Sequence, residues 1–499
     1  MSGLGGIGLL SAALVVCLAE VGASEEKEAR GNVLREVTAW VKSAAIPLKS
    51  TDPTSDLRDM EPLGTVVGEA RIVAMGEATH GTREFFQLKH RMLEYLVEEK
   101  GFTIFAMEAN WPESLAVNDY VVNGTGDARG ALDGLNFLTA NTEELLGLIH
   151  WMRKYNEDPK HAKKVKFYGF DMQMAHVAAR NVESYLEKVD PFEVVAAEKV
   201  FEPISDAKRE KESAAKPEAF WEREEDRIVT LQKQLESRKE SYVKRSSKKE
   251  WELAEHNLEI VRQSAELYSI RKKGNVSPRD LAMAKNVRWI LEQEGPEAKM
   301  MLWAHNGHVS TGLLGGAASM GNELRQMYGS ELVVCGFSFE EGSFQAVEKG
   351  KGLKRFTVGP APPDTVDGIL AATGIPIFAV DLRSAPSNGQ VRDWLNGAQK
   401  MRSIGLLYSL NWPEEGFSEV IPREFDVLFF VRQTTAALEN PNRSQKNSPN
   451  GHSERSLRSE ELCPIALFSC AESLFSWVYG QERFLASLGM TGWDRFSAA

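Results

Sequence analysis

Seven short runs of almost unbroken apolar residues limit what this chain can fold into: RIVAMGE (71–77), TIFAMEA (103–109), VKFYGFD (165–171), KMMLWAH (299–305), LVVCGFSF (332–339), IPIFAVDL (375–382) and DVLFFV (426–431). A strand with one wet face alternates apolar and polar residues. A strand without that alternation has to be covered on both faces. Segments with helical spacing of apolar residues separate many of the runs. Buried strands joined by helices predict an α/β fold with a largely parallel sheet flanked by helices. At 499 residues the chain is long enough for one large domain or two ordinary ones.

Residues 203–273 break this rhythm. They are dense in Glu, Lys and Arg, with apolar residues at helical spacing in WEREEDRIVTLQKQLESRKESY and WELAEHNLEIVRQSAELYSI. This pattern predicts two long helices in an inserted, charged helical lobe. The pair either extends as a coiled-coil dimerisation arm or packs on its own domain. From residue 438 the chain reads as a linker and C-terminal tail (438–499), with NPNRSQKNSPNGHSERS as the flexible part. An amphipathic segment at 461–487 reads as a docking helix.

The N-terminus, residues 1–23, has the outline of a signal peptide. Its apolar run IGLLSAALVVCL (7–18) is too short for a confident membrane span, and Val21 and Ala23 sit where a cleavage site would be. No Lys or Arg precedes the run, which departs from the usual pattern. The expected location is therefore secreted or periplasmic if this segment is a leader, and cytoplasmic otherwise. GLGGIG (3–8) follows no strand and fails the context test for dinucleotide binding. No stable membrane span is expected elsewhere. The net charge of -12 argues against a nucleic-acid partner, which needs clustered Lys and Arg. The four cysteines, Cys17, Cys335, Cys463 and Cys470, form no metal-type pair; Cys335 reads as a small core residue.

The polar residues that interrupt the apolar runs occur at one end of them. Glu77 ends the first run and His80 follows in GEATHG. Glu108 ends the second, Asp171 the third and His305 the fourth, with Asn306 and His308 just beyond in WAHNGH. In a parallel sheet the carboxyl ends of the strands share one edge, where ligands bind. Residues far apart in sequence are thus expected to line one pocket. Lys89 lies near the middle of an apolar helical arc that contains Phe85, Phe86, Met92 and Leu93. A buried ammonium there needs an acidic partner, Glu77 or Glu108; alternatively the stem snorkels to solvent. Histidines beside carboxylates suit acid–base chemistry or metal binding, but the HxxH of His305 and His308 is not the helical HExxH of zinc proteases. No GxSxG nucleophile elbow and no Walker sequence is present.

The string GEATHGTREFFQLKHRMLEYLVEEKGFTIFAMEAN resembles the erythromycin esterase-like family, which also includes succinoglycan biosynthesis proteins. GFDMQ (169–173), RDLAMAKN (279–286), WAHNGHV (303–309), GFSFEEGSFQAV (336–347) and FDVLFFVRQTTA (425–436) are further similar blocks, and together they span residues 35–437 in order. The resemblance implies a two-lobed α/β hydrolase that opens ester or lactone bonds, macrolide lactones included, without a required metal or other cofactor. It implies that Glu77 and His80 belong to the catalytic motif, that His80 activates water, and that Glu108 orients the water or tunes His80. His305 and His308 match the family's second histidine motif. Lys89 stands where the antibiotic esterases have an arginine, so the charge is kept and the bidentate geometry is not. Asp171, Asn306 and Arg91 are the candidate substrate-binding residues, although the helical angle of Arg91 sets it on the polar face.

The expected activity is hydrolysis of a small-molecule ester or lactone by His-activated water, with no covalent intermediate. Lys89, His305 or His308 would stabilise the oxyanion or protonate the leaving alkoxide. Two alternatives stay open: a metal-dependent hydrolase using the same Glu/His cluster, and a non-catalytic, polysaccharide-associated binding protein.

Overall fold

All seven apolar runs become strands, and each is covered on both faces. The structure is a computed structural model that describes residues 28–271, 277–410 and 416–440. The leader 1–23 with GLGGIG and Cys17, and the tail from 441 with Cys463, Cys470 and the segment 461–487, lie outside the described residues. In chain order the main-sheet strands are β1 (Ala45–Pro47), β2 (Ile72–Met75), β3 (Ile104–Asn110), β4 (Lys166–Asp171) and β5 (Met300–Trp303). A two-stranded ribbon of β6 (Leu313–Leu314) and β7 (Ala317–Ala318) follows. The main sheet resumes with β8 (Leu332–Glu348), β9 (Gly352–Val358) and β10 (Ile377–Asp381). After a second ribbon, β11 (Gln399–Arg402) and β12 (Phe417–Val420), it ends with β13 (Val427–Thr434).

The sheet order is β1-β10-β13-β8-β2-β5-β3-β4, with β9 beside β8. From β13 to β4 every neighbouring pair is parallel. β10, β1 and β9 pair antiparallel. The sheet is therefore largely parallel, and its parallel block carries every strand end singled out above.

Alternate residues of each strand enter two separate cores. Ile72, Ala74, Ile104, Ala106, Met300 and Leu302 face one core, and Val73, Met75, Phe105, Met107, Met301 and Trp303 face the other. Helices Arg83–Lys100 and Glu143–Glu157 cover the second face with Phe85, Leu88, Met92, Leu148 and Met152. Burying each such side chain contributes about 1.5–3 kcal/mol. Helix Arg83–Lys100 stops because Gly101 adopts φ +70°, and its amide caps the Leu96 carbonyl.

On the first face, helices His176–Val189, Lys248–Arg271 and Ser277–Glu294 provide the cover. The charged stretch holds two long helices, Glu218–Ser237 and Lys248–Arg271, with shorter helices between and before them. Their apolar seams, including Trp221, Ile228, Leu231, Trp251, Leu258 and Val261, join the same core as the sheet. Arg262 pairs with Glu225, Glu259 and Glu266 on the wet side. The pair packs on its own chain and spends its apolar surface there. No helix of the described residues is long and apolar enough to cross a membrane.

Arg91 departs from its expected place. It is fully buried rather than on a polar face, because segment 49–67 packs on the outer side of its helix. Its guanidinium donates to Asp59 Oδ1 at 2.6 Å, to the Asp56 carbonyl at 2.7 Å and to the Ser50 carbonyl. Arg91 is a staple between helix and N-terminal segment, not a substrate-binding residue. Removing one partner of a buried ion pair strands the other. Arg91→Met should therefore lower the unfolding free energy by about 3–5 kcal/mol in denaturant titrations. Turnover per folded molecule should not change. Intact stability with lost turnover would return Arg91 to the active site.

Candidate active site

The backbone brings the strand ends together before any side chain is considered. Gly76, just past β2, passes between Asn306 and β8: a Cβ there would lie 2.2 Å from Asn306 Oδ1 and 3.0 Å from the Cys335 carbonyl. Asn306 Nδ2 donates to the Phe337 carbonyl at 2.7 Å, and its Oδ1 accepts from the Phe337 amide at 3.0 Å. The Asn306 amide donates to the Glu77 carbonyl at 2.9 Å. Asn306 thus clamps the ends of β2 and β5 to β8. This corrects its expected role, because both polar atoms of its side chain are engaged by the Phe337 backbone.

Glu77 emerges from this clamp into a buried cluster. Its Oε1 accepts from His80 Nδ1 at 2.7 Å, and its Oε2 accepts from Lys89 Nζ at 2.6 Å and Trp303 Nε1 at 2.8 Å. Lys89 is fully buried, with Nζ 4.1 Å from the Trp303 ring centroid and 5.5 Å from that of Phe337. Burial would raise the Glu77 pKa, but Lys89 and His80 outweigh it and hold the carboxyl below its ordinary value. Burial lowers the Lys89 pKa to about 8, although Glu77 opposes the shift. An ionised Glu77 fixes the His80 proton on Nδ1 and leaves the Nε2 lone pair for chemistry.

A second cluster is built around Arg279, which the sequence reading did not single out. Its Nε and Nη2 donate to Asp171 Oδ1 and Oδ2 at 3.2 and 2.7 Å. Nη2 also donates to Glu108 Oε1 at 2.7 Å, and Nη1 lies 3.0 Å from His308 Nε2. Glu108 Oε2 accepts from the His305 amide at 3.0 Å. Burial alone would raise the Glu108 pKa; His308, Arg279 and His80 hold it well below the ordinary range instead. Asp171 also accepts from the Met172 amide and from Gln173 Nε2. All its oxygens are used within the protein, so it is a counterion for Arg279 and not a substrate-binding residue. The available signal for Arg279 was the need of two buried strand-end acids for a cation, with RDLAMAKN supplying it.

The two histidines of HNGH have different surroundings. His308 Nδ1 donates to Asp280 Oδ1 at 2.8 Å, and Nε2 faces Arg279 and, at 3.4 Å, Glu108. Burial lowers its pKa, and Asp280 and Glu108 more than restore it. Both ring nitrogens are engaged inside the protein. His305 caps the short helix Asn306–Val309, its Nδ1 accepting from the Gly307 amide at 3.2 Å. An accepting Nδ1 puts the proton on Nε2, and that buried Nε2 has no partner among the described residues. Burial, with the charges of His80 and His308, lowers the His305 pKa to about 3, so the ring is neutral.

The His80 and His305 rings lie 5.0 Å apart, centroid to centroid. His80, Glu77 and Glu108 border a small cavity whose remaining wall is mostly apolar. The site thus combines an oriented imidazole, an unpartnered neutral N–H donor and a small, mostly apolar space. Among the described residues no group of three or more His, Cys, Asp or Glu is disposed to hold a metal. Lys89 and Arg279 occupy the carboxylate oxygens that a divalent cation would need.

Residues 97–434 match a family model described as erythromycin esterase. Glu108, Asp171, Arg279, His305 and His308 fall inside that range; Glu77, His80 and Lys89 precede it. The chain is 26% identical over 389 residues to erythromycin esterase type II of Escherichia coli, covering 70% of this chain and 90% of that one. Among solved structures it is similar to a Bacillus cereus protein, with TM-score 0.73, 28% identity, and 82% and 99% of the two chains covered. It is also similar to an erythromycin esterase mutant in its open conformation, with TM-score 0.62 and 19% identity, covering 77% and 96% of the two chains. That last likeness shows the fold alone.

The buried lysine sets a pH dependence. Unfolded, Lys89 keeps its proton to about pH 10.4; folded, it releases it near 8. Between those values the unfolded chain binds more protons, so this group adds stability as pH rises through the window. Above about 8 the ammonium that pairs with Glu77 is lost. Turnover should therefore fall on the alkaline side with an apparent pKa near 8. Lys89→Arg, which does not titrate there, should remove that limb from the pH profile of kcat. A limb that persists unchanged in the arginine variant would assign it to another group.

Proposed function

The chain belongs to the erythromycin esterase family, and from that footing we propose that it hydrolyses an ester or lactone with a water activated by His80. The observation that carries the reading is the Glu77–His80 pair bordering a small cavity, with the His305 ring 5.0 Å from that of His80 and its Nε2 unpartnered among the described residues. Family membership supports esterase-type hydrolysis, and erythromycin esterase type II is a relative whose name states a substrate.

In the proposed reaction His80 Nε2 takes a proton from water, whose oxygen attacks the ester carbonyl carbon. The carbonyl π electrons move onto oxygen. A neutral His305 donates to that oxyanion without itself losing a proton, which suits a ring with pKa about 3. Collapse of the tetrahedral species breaks the carbon–alkoxide bond, and the alkoxide takes the proton from the His80 imidazolium. Glu77 stays ionised throughout and stabilises that imidazolium. Lys89 is saturated by Glu77 and two aromatic faces, and His308 by Asp280 and the Arg279 cluster. Of the three earlier candidates, His305 is therefore the oxyanion partner.

The test is a panel of activated esters, simple lactones and macrolides, assayed with purified protein. His80→Ala should abolish turnover in a folded protein. Glu77→Gln should cost roughly 10²–10⁴-fold in kcat, the range for general acid–base help. His305→Phe should cost roughly 10²–10³-fold, the range for one oxyanion donor. Near-wild-type turnover in folded His80→Ala would remove the mechanism.

A further inference from the structure

The cavity beside His80 has a chemistry of its own. Phe86, Met107, Phe137, Ala140 and Trp303 line it, with Thr139 adding a hydroxyl. The other lining residues, Glu77, His80 and Glu108, belong to the catalytic clusters. Neither cation near it is free: Lys89 is held by Glu77, and Arg279 by Asp171 and Glu108. The two lining carboxylates are held ionised, so the space repels an anion.

The room inside it open to the centre of a water-sized sphere is about 10 Å³, about the least that one water needs. The space therefore admits one methyl-sized group and not a long chain or a macrocycle.

Phe137 is the lining residue that touches His80. It is half-buried and meets the His80 ring edge-on, centroids 6.4 Å apart. It follows Asn136, which adopts φ +54° and donates from Nδ2 to the Gly134 carbonyl at 3.1 Å. Asparagine is among the residues that tolerate this left-handed conformation. The loop is then held down: Thr142 pairs with Glu439, and the Glu143 amide donates to the Leu438 carbonyl at 2.9 Å. The position of Phe137 is thus fixed by the backbone on both sides.

Resting on the hydrolase reading above, we infer that one group attached to the scissile carbonyl is compact, uncharged and apolar, and that Phe137 and Ala140 set its upper size. In a pocket of this kind one methylene changes kcat/KM by roughly 10–200-fold.

The test uses two series of p-nitrophenyl and alkyl esters, one lengthening the acyl group from acetyl to lauroyl, the other lengthening the alcohol. One series should show a sharp size limit, with kcat/KM falling at least about tenfold per methylene beyond it. A hemisuccinate should react far more slowly than the butyrate ester. Phe137→Ala should raise kcat/KM for the first excluded ester at least about tenfold, and Ala140→Leu should lower it for the longest accepted ester by a similar factor. Both series flat, the hemisuccinate as good as the butyrate, or both folded variants with wild-type profiles would overturn the inference. Alkyl methyl ketones, which cannot be hydrolysed, give a separate calorimetric readout. If no ester is turned over but the ketones bind with the same size limit, the hydrolase reading falls and the pocket stands. Ketones that bind without a size limit, or not at all, would sink the pocket.

Discussion

Burying carboxylates at the ends of parallel strands is the constraint on which the rest of this site depends. An ionised carboxylate away from water costs several kcal/mol unless it is paired and hydrogen-bonded. Glu77, Glu108 and Asp171 are all buried at one edge of the sheet. The fold answers with two cations, Lys89 from the helix after β2 and Arg279 from a helix on the other face. Each cation is itself buried and fully engaged. The two helices are therefore pinned to the sheet edge by charge as well as by apolar packing, one on each face.

This arrangement sorts histidines that look alike in sequence. His80 has an ionised acid on one nitrogen and an open cavity beside it. His308 has an acid on one nitrogen and a guanidinium by the other, which locks it inside the protein. His305 spends one nitrogen on a backbone amide and presents the other unpartnered. Three imidazoles thus have three different electrostatic surroundings within one edge of one sheet. The chemistry proposed here needs that separation, since a base and a neutral donor cannot share one environment.

Much of the candidate site is legible because polar residues that interrupt buried runs have few reasons to be there. Glu77, Glu108 and His305 were found that way, and Lys89 was found because an ammonium inside an apolar arc demands a partner. The same logic misplaced Asp171 and Asn306. Both are at the edge, but Asp171 is consumed by Arg279 and Asn306 by the backbone of Phe337. Arg91 was misread because a helical angle assumes one dry face, and this helix has two. Arg279 gave no periodic signal: an arginine beside an aspartate near the start of a helix looks like a solvated pair until its partners are known.

The sequence by itself determined the class of fold and the edge where the chemistry gathers. Apolar runs without alternation require cover on both faces, and parallel strands align their carboxyl ends whatever order they take in the sheet. Only the tertiary structure decided which acid meets which cation, which histidine stays free and how small the cavity is. Those outcomes depend on contacts between residues as distant as Glu108 and Arg279 or Glu77 and Trp303. Periodicity reports which way a side chain points along its own element. It carries no information about the charge waiting on the element packed opposite.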